Sequence, residues 1–146
     1  MTDADQPKKS SPLKWLLLAF LGCGCLCFAF MAAAVGIPFL VTQPAVDAAH
    51  AHFRDAGADP AAAYDGLAKP FQDATPRAAF VEFVEARPYV YKGADITFTN
   101  RNYQNGIVTL TGTATAAGGG SQAPVKIQLA KDGETWKVLN VDLTGN

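Results

Sequence analysis

The residues able to do chemistry are few, and their spacing limits what they can do together. His50 and His52 are the only histidines. On a helix, positions i and i+2 lie about 200° apart, so the two rings cannot grip one metal. They read as two polar residues on an exposed helix. The functional alternative is a dyad of one His with Asp47 or with a more distant carboxylate. Gly119-Gly120-Ser121-Gln122-Ala123 superficially matches G-x-S-x-G/A, but that elbow needs a strand before it and a helix after it. Strand-like sequence flanks Ser121 on both sides. The same glycine run lacks the following Lys-Ser/Thr of a phosphate loop, and no D-x-D-x-D-G calcium pattern occurs. The expectation is no catalytic residue, no metal site and no cofactor.

Cys23, Cys25 and Cys27 are the only cysteines, so residues 42–146 have neither a disulfide nor a thiol nucleophile. At 100° per residue Cys23 and Cys27 share a helix face and Cys25 lies nearly opposite, so the three thiols do not converge on a metal. They act as small apolar residues beside Gly22 and Gly24, and such a face permits helix–helix self-association into a homodimer.

These cysteines belong to an apolar run. The chain has 146 residues, 12 Lys+Arg and 13 Asp+Glu, with 17% of residues charged. Soluble domains carry about a quarter, and the deficit is local: residues 15–44 hold no charge. Trp15 to Val41 is long enough to span a bilayer. Lys8, Lys9 and Lys14 precede it, whereas the first basic residue after it is Arg54. The positive-inside rule then places residues 1–14, a polar tail, in the cytoplasm, 15–41 in the cell membrane as a single-pass signal anchor, and 42–146 outside. Two alternatives are cleavage after Ala34 within Ala32-Ala33-Ala34 and a lipoprotein at Gly22-Cys23. The apolar run continues through Ile37, Phe39, Leu40 and Val41, which favours an uncleaved anchor. Balanced charge without a basic, aromatic-interleaved stripe gives no case for nucleic acid.

Residues 42–146 suffice for one domain. Thr42-Gln43-Pro44, Asp59-Pro60 and Thr75-Pro76 each place a capping residue at or near a proline, a helix-start signal. Val46, Ala49 and Phe53 follow the first; Tyr64, Leu67, Ala68 and Phe71 the second; Phe80, Phe83 and Val84 the third. Gly57 and Arg87-Pro88 read as stops, and Gly66 and Pro70 shorten the second helix. From Ala94 the period becomes two. Ile96 and Phe98 begin a strand, and Asn105-Gly106 is a hairpin turn. Val108, Leu110, Gly112 and Ala114 share a face, as do Val125, Ile127 and Leu129. After Asp132-Gly133, Trp136 and Val138 lie on one parity and Leu139, Val141 and Leu143 on the other, which predicts either a bulge near Val138–Asn140 or a strand covered on both faces. The expected fold is α+β, about three helices on one face of a four-stranded antiparallel sheet. Trp136 is expected to be buried against the Phe80–Val84 helix or at a pocket wall beside it. The outer domain is expected to fold without its anchor.

The order of these parts, with Ala63-Tyr64, Leu67, Phe71, Phe80, Phe83, Val84, Gly112, Gly133 and Trp136-Lys137-Val138, resembles small membrane-anchored bacterial domains of the cystatin-like, nuclear-transport-factor-2-like superfamily. The resemblance covers nearly all of residues 44–146 and rests on packing signatures. It implies a cone: a curved sheet wrapped around a long helix, with a pocket at the wide end. It also implies that an enzyme of this kind would use a His–Asp pair or a Tyr with a carboxylate. Members include isomerases, dehydratases, transport factors and domains without assigned activity, so the fold alone implies no function. A weaker resemblance is to anchored cytochrome-oxidase assembly factors. If the cone is open, Tyr64, Phe71, Tyr103 and Trp136 are the candidate ligand-binding residues. The reading is a cell-envelope interaction or scaffold module without catalysis. The alternatives are a sensor of small apolar ligands or peptides, an isomerase- or dehydratase-like enzyme, and an assembly factor.

Overall fold

The stripe of small and apolar residues that opens the outer domain forms its longest described helix, α1, which is helical over 42–58. The computed structural model describes residue 40 and residues 42–144. The polar tail 1–14 and, apart from Leu40, the apolar run 15–41 with its three cysteines lie outside the described residues. Among the described residues no helix is long and apolar enough to cross a membrane. The described residues belong to one compact unit, Phe39–Asn146.

Ala45, Val46, Ala49, Phe53 and Ala56 of α1 are all buried in the core. The helix runs through Gly57 to residue 58 instead of stopping there. Glycine has a different task at that position: a Cβ at residue 57 would lie 1.8 Å from the Tyr91 carbonyl oxygen. The missing side chain is what lets α1 and the chain at Tyr91 touch backbone to backbone.

Asp59 caps the next helix, α2 (Pro60–Tyr64), through its carboxylate and the Ala62 N–H at 3.0 Å. The second helical stretch then divides. Beyond Gly66 the backbone at Ala68 is extended, and the Ala68 N–H donates to the Val138 carbonyl across 2.9 Å. The chain thereby ties itself to a strand edge before α3 (Lys69–Ala74) begins with Pro70 in its first turn. Thr75 does not cap the next helix, α4 (Arg77–Glu85), whose N-cap is Pro76. The Thr75 carbonyl instead accepts the Tyr64 hydroxyl at 2.7 Å. After Arg87, Pro88 starts one further turn, α5 (Pro88–Tyr91), which buries Val90 and Tyr91.

The second half is an antiparallel meander of β1 (Asp95–Gln104), β2 (Ile107–Thr115), β3 (Gln122–Asp132) and β4 (Thr135–Asp142), in spatial order β1-β2-β3-β4. Asn105 and Gly106 both have positive φ, 53° and 80°, as a two-residue hairpin turn demands. Val108, Leu110 and Ala114 of β2 and Ala123, Val125, Ile127 and Leu129 of β3 are buried. The alternating threonines, Lys126 and Gln128 lie on the other face, half-buried. The β3–β4 register passes from Gln128↔Asn140 to Leu129↔Val138, so Leu139 is the extra residue and the parity switch is a bulge. A second bulge, which the sequence pattern did not signal, makes Thr99 the extra residue between Phe98↔Gly112 and Asn100↔Thr111. Here β1 folds closely onto β2: a Cβ on Gly112 would meet the Thr97 carbonyl oxygen at 1.9 Å. Adjacent strands lie about 4.8 Å apart, so β1 and β4 of a flat sheet would be about 14 Å apart. Yet Tyr103 of β1 and Trp136 of β4 have ring centroids 6.5 Å apart on the core face. Both rings lean inward, and the sheet curls toward the helices.

Candidate functional site

The four aromatic residues singled out from the sequence fall in two places. Tyr64 is buried, and its hydroxyl donates to the carbonyls of Gln72 at 3.0 Å and Thr75 at 2.7 Å. Its ring packs 5.9 Å from Phe80, and the Arg77 guanidinium stands 4.9 Å from the ring centre. Arg77 also ion-pairs with Asp65 and donates to the Ala61 carbonyl. Tyr64 therefore staples α2 to the α3–α4 turn, with Arg77 fixing the staple from outside. Phe71, half-buried, meets Phe80 edge-on at 5.9 Å.

Tyr103 and Trp136 lie at the far end of the sheet. Tyr103 is 52% exposed, and Trp136 is half-buried. Of the two places expected for Trp136, full burial against the Phe80–Val84 helix or a pocket wall, the structure has it on the core face, partly buried, as the wall of a groove. The curl of the sheet brings Tyr103 against it, and its other neighbours are α1 and α2. Together they enclose a groove of about 560 Å³, with Trp136 as one wall, Ala48, Ala51, Ala62 and Ala63 among its lining, and Asp55 and Asp59 beside them.

His52 also lines this groove, and it is not on an exposed face as its polarity suggested. It is 8% exposed, and its Nε2 is buried without a hydrogen-bond partner. Its surroundings are aromatic, with ring centroids at 5.4 Å for Phe53, 6.1 Å for Phe80 and 6.3 Å for Tyr91. Burial pushes its pKa down to about 4, and the nearby Asp55 carboxylate opposes that only in part. The signal was present in the spacing. Positions 45, 49, 52 and 56 fall at i, i+4, i+7 and i+11, so His52 sits in the buried alanine stripe. Tyr91 completes the cluster. Its hydroxyl is likewise buried and unpartnered, and burial raises its pKa despite the pull of Arg87.

His50 is exposed and meets the Phe98 ring edge-on at 5.2 Å. Asp47 accepts from Gln43 at 3.1 Å, and among the described residues neither histidine hydrogen-bonds a carboxylate. His50 lines a second groove, of about 510 Å³, between α1 and the turn from α5 into β1. Its floor is Phe53, Val90 and Ile96, its rim carries Arg54 and Lys92, and among the described residues no acidic one lines it. Ser121 lies in the exposed loop between β2 and β3, with strands on either side. Among the described residues, no three His, Cys, Asp or Glu come together as metal ligands.

No known protein family or curated protein matches the sequence, and no solved structure matches the fold. The fold is that of an α+β domain whose helices pack on a four-stranded antiparallel meander.

Proposed function

We propose that this chain is a single-pass, N-in membrane protein whose residues 42–146 form an extracytoplasmic, non-catalytic binding module of the cystatin-like kind. One observation carries the reading. Ala49 of α1 and Val108, Leu110, Ile127 and Leu129 of the sheet are 0% exposed within a single core that also takes in Phe53 and Phe80. The inside of the sheet is thus packed, and ligand-sized space lies on the surface along the two flanks of α1. A packed interior with surface grooves suits recognition better than water-excluded chemistry. The anchor is supported by the 30 uncharged residues 15–44 and the three lysines before them. The cystatin-like assignment is supported by the element order, a long first helix and a meander that curls toward it.

The test is position-resolved photo-crosslinking of the full chain in its membrane. A crosslinking residue at Ala62 or Lys92, both on groove rims, is expected to give discrete adducts. One at Asn140, on the outer sheet face, is expected to give none. Adducts indifferent to position would refute the reading.

A further inference from the structure

We infer that the groove between α1 and the α5–β1 turn binds a small organic anion with an apolar body. This deepens the binding-module reading and rests on it. The floor is built from side chains that are almost fully out of solvent: Phe53 at 4%, Val90 at 1% and Ile96 at 7% exposed. The rim is basic from two directions. His50 and Arg54, four residues apart, share a face of α1, and Lys92 approaches from the other side, just past α5. Among the described residues no carboxylate lines the groove, although residues 42–146 hold more acidic than basic residues.

The three rim side chains differ in availability. The Arg54 Nε donates to Asp55 at 2.9 Å, which leaves the terminal N–H groups of the guanidinium. Neither His50 nor Lys92 forms an ion pair among the described residues. A carboxylate or sulfonate head can therefore take charge-assisted hydrogen bonds at the rim while an apolar body covers the floor. The volume of about 510 Å³ lies within the range of small-ligand sites and is too confined for a folded partner. The groove flanking α1 on the α2 side has the opposite character, with Asp55 and Asp59 on its lining. The same probe should discriminate between the two.

The experiment uses the full chain in nanodiscs of zwitterionic lipid, with histidine-selective isotope labelling. Only His50 and His52 then report: the first lines the basic groove, and the second is buried and lines the other. Three probes share one apolar body: naphthalene-2-sulfonate, neutral naphthalene-2-methanol and cationic 2-naphthylmethylammonium. The sulfonate is expected to shift the His50 ring signals saturably, about tenfold more tightly than the alcohol, while His52 stays in place. The ammonium probe should leave His50 unmoved. In the double variant Arg54→Gln and Lys92→Gln, both at exposed positions, the melting point should hold and the anion preference should vanish. Absence of a saturable His50 shift, equal response to all three probes, or an anion preference that survives in the double variant would each overturn the assignment. Failure here would leave the position dependence of crosslinking at Ala62 untouched, so the site and the broader reading fail separately.

Discussion

Acid should unfold this domain through His52. Its ordinary pKa of 6.5 falls to about 4 in the folded state, because the imidazole is buried among Phe53, Phe80 and Tyr91 and its Nε2 has no hydrogen-bond partner. A base whose pKa is depressed by folding takes up its proton more readily unfolded. Its contribution is therefore complete above pH 6.5 and lost as pH falls toward 4. Linkage over that interval gives a loss of about 2 kcal/mol at pH 5 and about 3 kcal/mol at pH 4, relative to pH 7. That is a large share of the roughly 5–15 kcal/mol that holds a domain of this size. Carboxylates titrate in the same range, so the informative quantity is the difference between wild type and His52→Phe. Urea titrations of both, from pH 7 to pH 4, on residues 39–146 should show the two stabilities within about 1 kcal/mol of each other at pH 7. They should then diverge by the amounts above, with the variant the more acid-resistant. Parallel loss of stability in both proteins down to pH 4 would refute the reasoning, because His52 would then not be buried and unpaired.

Three further outcomes follow from packing. Gly112→Ala places a methyl against the Thr97 carbonyl oxygen at 1.9 Å; since the obstacle is backbone at a bulge, denaturant titration should show a loss of about 2–3 kcal/mol. Tyr91→Phe removes a buried hydroxyl that has no partner, and should raise stability by about 1 kcal/mol in the same assay. Phe80→Ala, at 1% exposure among His52, Tyr64 and Phe71, should cost about 3–5 kcal/mol. Trp136→Ala should cost less than Phe80→Ala, because that ring is only partly buried against the core; equal losses would place Trp136 in the core after all.

The fold was legible wherever periodicity and turn chemistry agreed. Val108, Leu110 and Ala114 alternate with threonines, Asn105-Gly106 closes a hairpin, and the change of parity after Val138 marks the Leu139 bulge. Helix boundaries were less legible because local signals served tertiary ends. Gly57 reads as a stop but provides room for the Tyr91 backbone. Thr75 reads as a cap but lends its carbonyl to Tyr64. The second helix is short, as Gly66 and Pro70 signalled, but the pairing of the Ala68 N–H with β4, 70 residues away in sequence, had no local signal. The functional surface was least legible. Aromatic type drew attention to Tyr64, Phe71, Tyr103 and Trp136, of which Tyr64 and Phe71 pack around Phe80 and only Trp136 lines a described groove. The basic rim of His50, Arg54 and Lys92 depends on α5, a single turn with no periodicity to announce it. His52 reads as exposed by its polarity, yet its helical position belongs to the buried Ala45, Ala49 and Ala56 stripe.

Whether residues 42–146 face outward from a membrane is the point on which the account turns, and one paired measurement tests it. A reporter active only outside the cytoplasm is fused after Asn146 in one strain and before Met1 in another. The lysines at 8, 9 and 14 and the uncharged stretch 15–44 require activity from the first fusion and none from the second. Activity from the second fusion alone would contradict the account and place the packed domain and both its grooves in the cytoplasm.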